Sequence, residues 1–113
     1  MPEVKKIGEN VYCITERTPE NGGEVNAYLV TGTKKAVLID SLMTDRSLYE
    51  TVKNITSLPL EVILTHGHSD HAGAGLHKFH EAGVTIYISE KDFYFFRDNS
   101  PYGLKEEFFT PSF

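Results

Sequence analysis

Val62-Ile63-Leu64 runs directly into Thr65-His66-Gly67-His68-Ser69-Asp70-His71, so a short apolar run delivers four candidate metal ligands, His66, His68, Asp70 and His71, within six residues. Three β-prone residues without a polar break predict a buried strand. If the chain stays extended beyond it, the two-residue spacing turns the imidazoles of His66 and His68 to one side. Asp70 and His71 fall where the pattern becomes helical, and a tight turn there brings all four towards one point. Gly67, Gly73 and Gly75 let the backbone come close to a metal or to a neighbouring element. Imidazole nitrogen and carboxylate oxygen suit zinc, and also iron or manganese. A lone histidine at a strand end is ordinarily a polar surface residue. Three of the chain's five histidines, crowded beside an aspartate behind an apolar strand, are better explained by metal binding.

Upstream of this stretch the chain is β-rich. Val4 to Ile7 and Val11 to Thr15 are short β-prone runs around the turn residues Gly8-Glu9-Asn10. After a loop at Thr18-Pro19-Glu20-Asn21-Gly22-Gly23, Val25 to Val30 predicts a third strand, and Ala36-Val37-Leu38-Ile39-Asp40 a buried one ending in an aspartate. A helix is predicted from Thr44 or Asp45 to Ser57, with Leu48, Val52 and Ile55 on one face. Its N-cap is Thr44, or else Ser47 in a capping box with Glu50, and Pro59 closes it. Downstream, Asp70 to Ala82 reads as helical with Gly83 as its stop. Val84 to Ile88 is a strand and Glu90 to Asp98 an aromatic helix, with no clear order from Asn99 onward. Strands followed by strand–helix–strand alternation predict an α/β arrangement with helices packed on a mixed sheet.

With 113 residues the chain forms at most one domain, and 40% hydrophobic residues suffice for one modest core. A net charge of −5 with scattered basic residues opposes nucleic-acid binding. No run of about 18 apolar residues is present to span a membrane, and the N-terminus has no secretory pattern, so a cytoplasmic protein is expected. Cys13 lacks an internal partner and reads as a buried structural thiol. His77 and His80 share a helical face, read as solvated rather than metal-binding. Met43, Phe79 and Phe93 to Phe96 read as core or interface filling, with a pocket wall as the alternative for the last group.

The stretch at 65–71 resembles the H-x-H-x-D-H signature of the metallo-β-lactamase superfamily. Asn26-Ala27-Tyr28-Leu29-Val30, the strand ending at Asp40, and the helix and strand before the motif look like that family's N-terminal half. The resemblance implies an αββα sandwich with a two-metal site, zinc by preference, in which His66 and His68 bind one metal and Asp70 and His71 the other. It also implies a metal-dependent hydrolase of an ester, thioester, lactone or phosphodiester, in which the metals lower the pKa of the attacking water. Asp70 is then catalytic by orienting that water. Asp40 either orients a ligand histidine from behind or is a strand-end turn residue. Asp70 followed by His71 looks more like the glyoxalase-type branches than like β-lactamases whose motif lacks the last histidine.

This sequence also departs from the family. Members are typically longer and add a histidine, a bridging aspartate and a final histidine from a second half. No histidine follows His80, and Asp92 and Asp98 lack the matching context. Residues 1–113 are therefore expected to form a single partial domain, the first half of such a hydrolase. The chain is a piece of a full enzyme, half of a site completed by another chain, or a binding module without turnover. A di-iron redox protein on the same fold is a further alternative. A small-molecule substrate is expected, and self-association through the apolar face of a half-sandwich.

Overall fold

The computed structural model describes residues 2–18, 23–65, 72–93 and 102–112. Apolar–polar alternation in the first third of the chain produces three antiparallel strands, β1 (Glu3–Gly8), β2 (Val11–Thr18) and β3 (Gly23–Thr31). The apolar run β4 (Ala36–Ile39) lies antiparallel to β3, and β5 (Leu60–Ile63), β6 (Thr85–Ser89) and β7 (Thr110–Ser112) continue the sheet in parallel. Among the described residues strand order in space is the order in sequence, one mixed sheet of seven strands. Two helices, α1 (Leu48–Ile55) and α2 (Leu76–Glu81), make the crossovers β4–α1–β5 and β5–α2–β6. Crossovers of one hand between parallel strands laid down in sequence order carry both helices to the same face.

That face holds the core. Register-matched Ile14, Ala27, Leu29, Leu38, Val62 and Ile86 are wholly buried, and the helices close over them with Leu48, Val52, Leu76 and Phe79. Each full burial of a Leu, Ile or Phe side chain contributes roughly 1.5–3 kcal/mol. The helices are joined by the edge-on Tyr49–Phe79 pair, with ring centroids 5.1 Å apart, and by the Glu50–Lys78 ion pair. The opposite face carries no helix among the described residues. Cys13, Tyr28, Ile39, Ile63 and Tyr87 form one continuous cross-strand row on it, and Tyr28 and Val30 are each 37% exposed. At its rim the Lys35 ammonium, 2.7 Å from Glu61, holds that carboxyl below its usual range, with help from the Tyr87 hydroxyl.

The expected α/β class and mixed sheet with packed helices are what the structure has, and it is one sheet-and-helix half of a sandwich. Several boundaries differ. Helix α1 begins at Leu48 because Thr44 is taken by Glu16 and the Ser47 hydroxyl donates to Asp45 Oδ1 rather than capping the helix. The Ser47–Glu50 capping box is absent, since Glu50 reaches Lys78 instead. Helix α2 starts only at Leu76, after residues 72–75 have been spent on contacts to the β4–α1 loop. It ends as expected: Gly83 has φ 78°, with Val84 N–H on Phe79 O and Gly83 N–H on His80 O. Strand β7 was not foreseen, because Thr110-Pro111-Ser112 has little strand propensity. It is an edge strand, where a proline is tolerated. Residues 90–93 are helical, and the remainder of the stretch expected as an aromatic helix, from residue 94 to Asp98, lies outside the described residues. Cys13 is half-buried on the open face rather than buried, its thiol donating to Asn26 Oδ1 at 3.6 Å.

Candidate metal centre

The parallel strands β4 and β5 end side by side, and their C-terminal ends lead into Asp40 and Thr65. Asp40 is 5% exposed and takes both donors of Thr65: the N–H on Oδ1 at 2.8 Å and the hydroxyl on Oδ2 at 2.9 Å. Thr65 immediately precedes His66, so the entrance to the ligand motif is tied to the end of β4. The exit is tied to the same loop. Ser41 Oγ accepts the Gly73 N–H at 2.9 Å, and Met43 O accepts the Ala74 N–H at 2.8 Å. Backbone packing is so close there that a Cβ at Gly73 would run into the carbonyl oxygens of Leu42 and Met43, and one at Gly75 would lie 2.8 Å from Asp45 O. The expected close approach at Gly73 and Gly75 is thus made to the β4–α1 loop, and Gly67 lies outside the described residues.

The loop itself is held in an uncommon shape. Asp40 and Leu42 have φ of 66° and 64°, the left-handed region, which costs a non-glycine residue roughly 1–2 kcal/mol. Such conformations persist where surrounding contacts over-determine them. One contact comes from across the sheet: Glu16 on β2, 8% exposed, accepts the Met43 N–H at 2.8 Å, the Thr44 N–H at 3.1 Å and the Thr44 hydroxyl.

Of the residues picked from sequence, His66, His68, Asp70 and His71 lie outside the described residues. Asp40 stands at the strand end beside the motif, as expected, with its carboxylate on Thr65. His77 and His80 do not form a solvated face: both are half-buried under the C-terminal segment. His77 Nε2 lies 2.8 Å from Tyr102 O, and the Phe108 ring stacks on His80 at 4.1 Å between centroids. Reading from sequence missed Glu16, Ser41 and Thr65. Glu16 had a signal, a charged residue on the same face of β2 as Tyr12 and Ile14, which alternation assigns to the core. Ser41 had none, since its role depends on a residue 32 positions away. Among the described residues no group of three or more His, Cys, Asp or Glu side chains gathers to hold a metal, so the metal reading concerns residues 66–71. Three imidazoles and a carboxylate, on a segment tethered at both flanks, are a donor set that fits a divalent cation such as zinc.

The Metallo-beta-lactamase superfamily model matches residues 21–111. This chain belongs to the metallo-beta-lactamase superfamily. Its relatives include the acyl-coenzyme A thioesterase MBLAC2 of Bos taurus, 34% identical over a 92-residue alignment that covers 71% of this chain and 33% of that protein. The human protein of the same name is 33% identical over 92 residues. Among solved structures, a metallo-beta-lactamase from Pontibacter korlensis superposes with a TM-score of 0.77 at 26% identity, covering 88% of this chain and 48% of that one. TMB-1 does so with a TM-score of 0.68 at 27% identity, covering 85% and 46%. The chain therefore spans about a third of the length of these thioesterases and about half of the solved chains. Those relatives are named as hydrolases, a thioesterase and beta-lactamases, and the fold and family are what this chain shares with them. No helix among the described residues is long and apolar enough to cross a membrane.

Proposed function

We propose that residues 1–113 are the first half of a metal-dependent thioester hydrolase and carry part of its metal centre, with catalysis belonging to the longer protein. The observation that carries the reading is that both flanks of the donor segment, Thr65 and Gly73–Ala74, are tied to one strained loop. Pre-ordered flanks reduce the entropy lost when a short segment closes around an ion. In this reading His66 and His68 would hold one zinc and Asp70 and His71 a second, with iron or manganese as alternative ions. Zinc, when bound, supplies Lewis acidity and lowers the pKa of a nearby water.

Asp70 orients the attacking water through its carboxylate. Asp40 keeps Thr65, and with it the approach to His66, in place. The water oxygen bonds to the acyl carbon, the carbon–sulfur bond breaks, and an acid and a thiol leave. A thioester is preferred over an ester, lactone or phosphodiester on the strength of the thioesterase relatives. The substrate is a small molecule, the net charge of −5 opposes nucleic acid, and the unpaired Cys13 is consistent with a cytoplasmic location.

Metal content tests the reading directly. After exposure to zinc and gel filtration, plasma mass spectrometry is expected to find near-stoichiometric zinc on the 113-residue chain, lost in His68→Ala. A chain that retains no zinc, or a His68→Ala variant that retains as much, sinks the assignment of the site to these residues.

A further inference from the structure

Glu16 occupies the inward position of β2 that follows Tyr12 and Ile14, where alternation calls for an apolar side chain. Among the described residues it makes no ion pair, the neighbouring Arg17 being engaged by Glu3 and Glu24. Its donors among the described residues all come from one turn, Met43-Thr44. A buried carboxylate gives up its hydration, and only charge-assisted hydrogen bonds of this kind offset the loss.

The turn it holds is the one that meets the ligand motif. Met43 is gripped at both ends of its backbone: its N–H by Glu16 Oε1 at 2.8 Å, and its C=O by the Ala74 N–H at 2.8 Å. Ala74 lies three residues beyond His71. Within the same loop Ser41 holds Gly73, and Asp40 holds Thr65. Three side chains, one on β2 and two on the loop, therefore hold the flanks of a six-residue segment, and Glu16 is the member whose link to it is least direct.

We propose that Glu16 is a positioning residue for the metal-ligand segment, acting through the Asp40–Thr44 loop; the proposal rests on the metal-dependent reading above. The carboxylate, and not merely a polar group of its size, is required. Glutamine keeps one acceptor oxygen but turns its NH2 group towards the Thr44 N–H, setting donor against donor, and the Thr44 hydroxyl has to turn from donating to accepting. Loss of the anchor frees the Met43 peptide, and with it the seat of Ala74.

The test uses the 113-residue chain with Glu16→Gln, Thr44→Val, which deletes one donor from the other side, and Val52→Ala as a core control in α1. Amide hydrogen exchange is measured first without metal. In Glu16→Gln and Thr44→Val, exchange at Gly73 and Ala74 is expected to rise about tenfold relative to the Val62 and Ile86 amides, the loss of one strong hydrogen bond. Val52→Ala is expected to leave that ratio unchanged. Zinc titration against a chromophoric chelator is then expected to show affinity weakened roughly 10–100-fold in Glu16→Gln, as when a partner behind a ligand is lost. A ratio unchanged in both loop variants, or raised equally by Val52→Ala, overturns the positioning role. A wild-type chain that takes up no zinc while the ratio responds overturns the metal reading and leaves Glu16 an anchor of the loop alone.

Discussion

A side chain at Gly73 meets the carbonyl oxygens of Leu42 and Met43, because the chain leaving the ligand motif is laid directly on the β4–α1 loop. The obstacle is backbone, which cannot swing aside as a side-chain tip can, so the loop or the motif flank must shift. Gly73→Ala is expected to cost about 1–3 kcal/mol by overpacking. Urea denaturation measures it, and an unchanged midpoint would mean the two backbones are not in contact. Because the Gly73 N–H sits on Ser41 Oγ, the same variant is expected to lose zinc affinity as well as stability. Asp40 answers to the strand-end reading, with its carboxylate on Thr65. It is a strand-end residue in the left-handed region, and its buried carboxylate also seats the residue that precedes His66, the first of the proposed ligands.

Helix α2 shows how an element is bounded by what it touches at each end. At its C-terminus Gly83 supplies a local reason, a left-handed residue with open space around its Cα, so the cost of a side chain there is conformational alone. Gly83→Ala is expected to destabilise by about 1 kcal/mol with no effect on the motif flank. Thermal unfolding would show this as a lowered midpoint at unchanged zinc affinity, the reverse of a site defect. At its N-terminus the reason is remote, since residues 72–75 are drawn off to Ser41 and Met43 before the helix can begin. The face of His77 and His80 is bounded in the same way, by Tyr102 and Phe108 from a segment whose own sequence shows no pattern.

At the scale of the molecule, the two faces of the sheet have unequal fates. One is closed by α1 and α2. The other presents the row Cys13, Tyr28, Ile39, Ile63 and Tyr87 in the middle of the sheet rather than at an edge. A continuous apolar surface of this kind on a soluble protein marks an interface. The 113-residue chain is therefore expected to self-associate face to face, a second copy covering what the additional length of the relatives would provide in a longer protein. Light scattering at micromolar concentration is expected to give a mass of two chains or more, reduced to one by Val30→Lys without loss of circular dichroism. A wild-type monomer under those conditions would exclude this face as a self-association surface.

Sequence by itself determined the elements with a local cause. Val62-Ile63 and Ala36 to Ile39 lie in strands because apolar runs of that kind can only be buried, and α2 ends before Gly83 because the left-handed conformation there cannot continue a helix. The donors proposed as ligands stand out in the sequence too, since four of them in six residues need no long-range information to be noticed. Tertiary structure alone decided what depends on residues brought together from afar. Glu16 binds a turn 27 to 28 positions away, and Ser41 a glycine 32 away. No local propensity records these pairings. They exist because parallel strands β4 and β5 end side by side and leave their loops in contact, and it is those loops that hold the flanks of the motif.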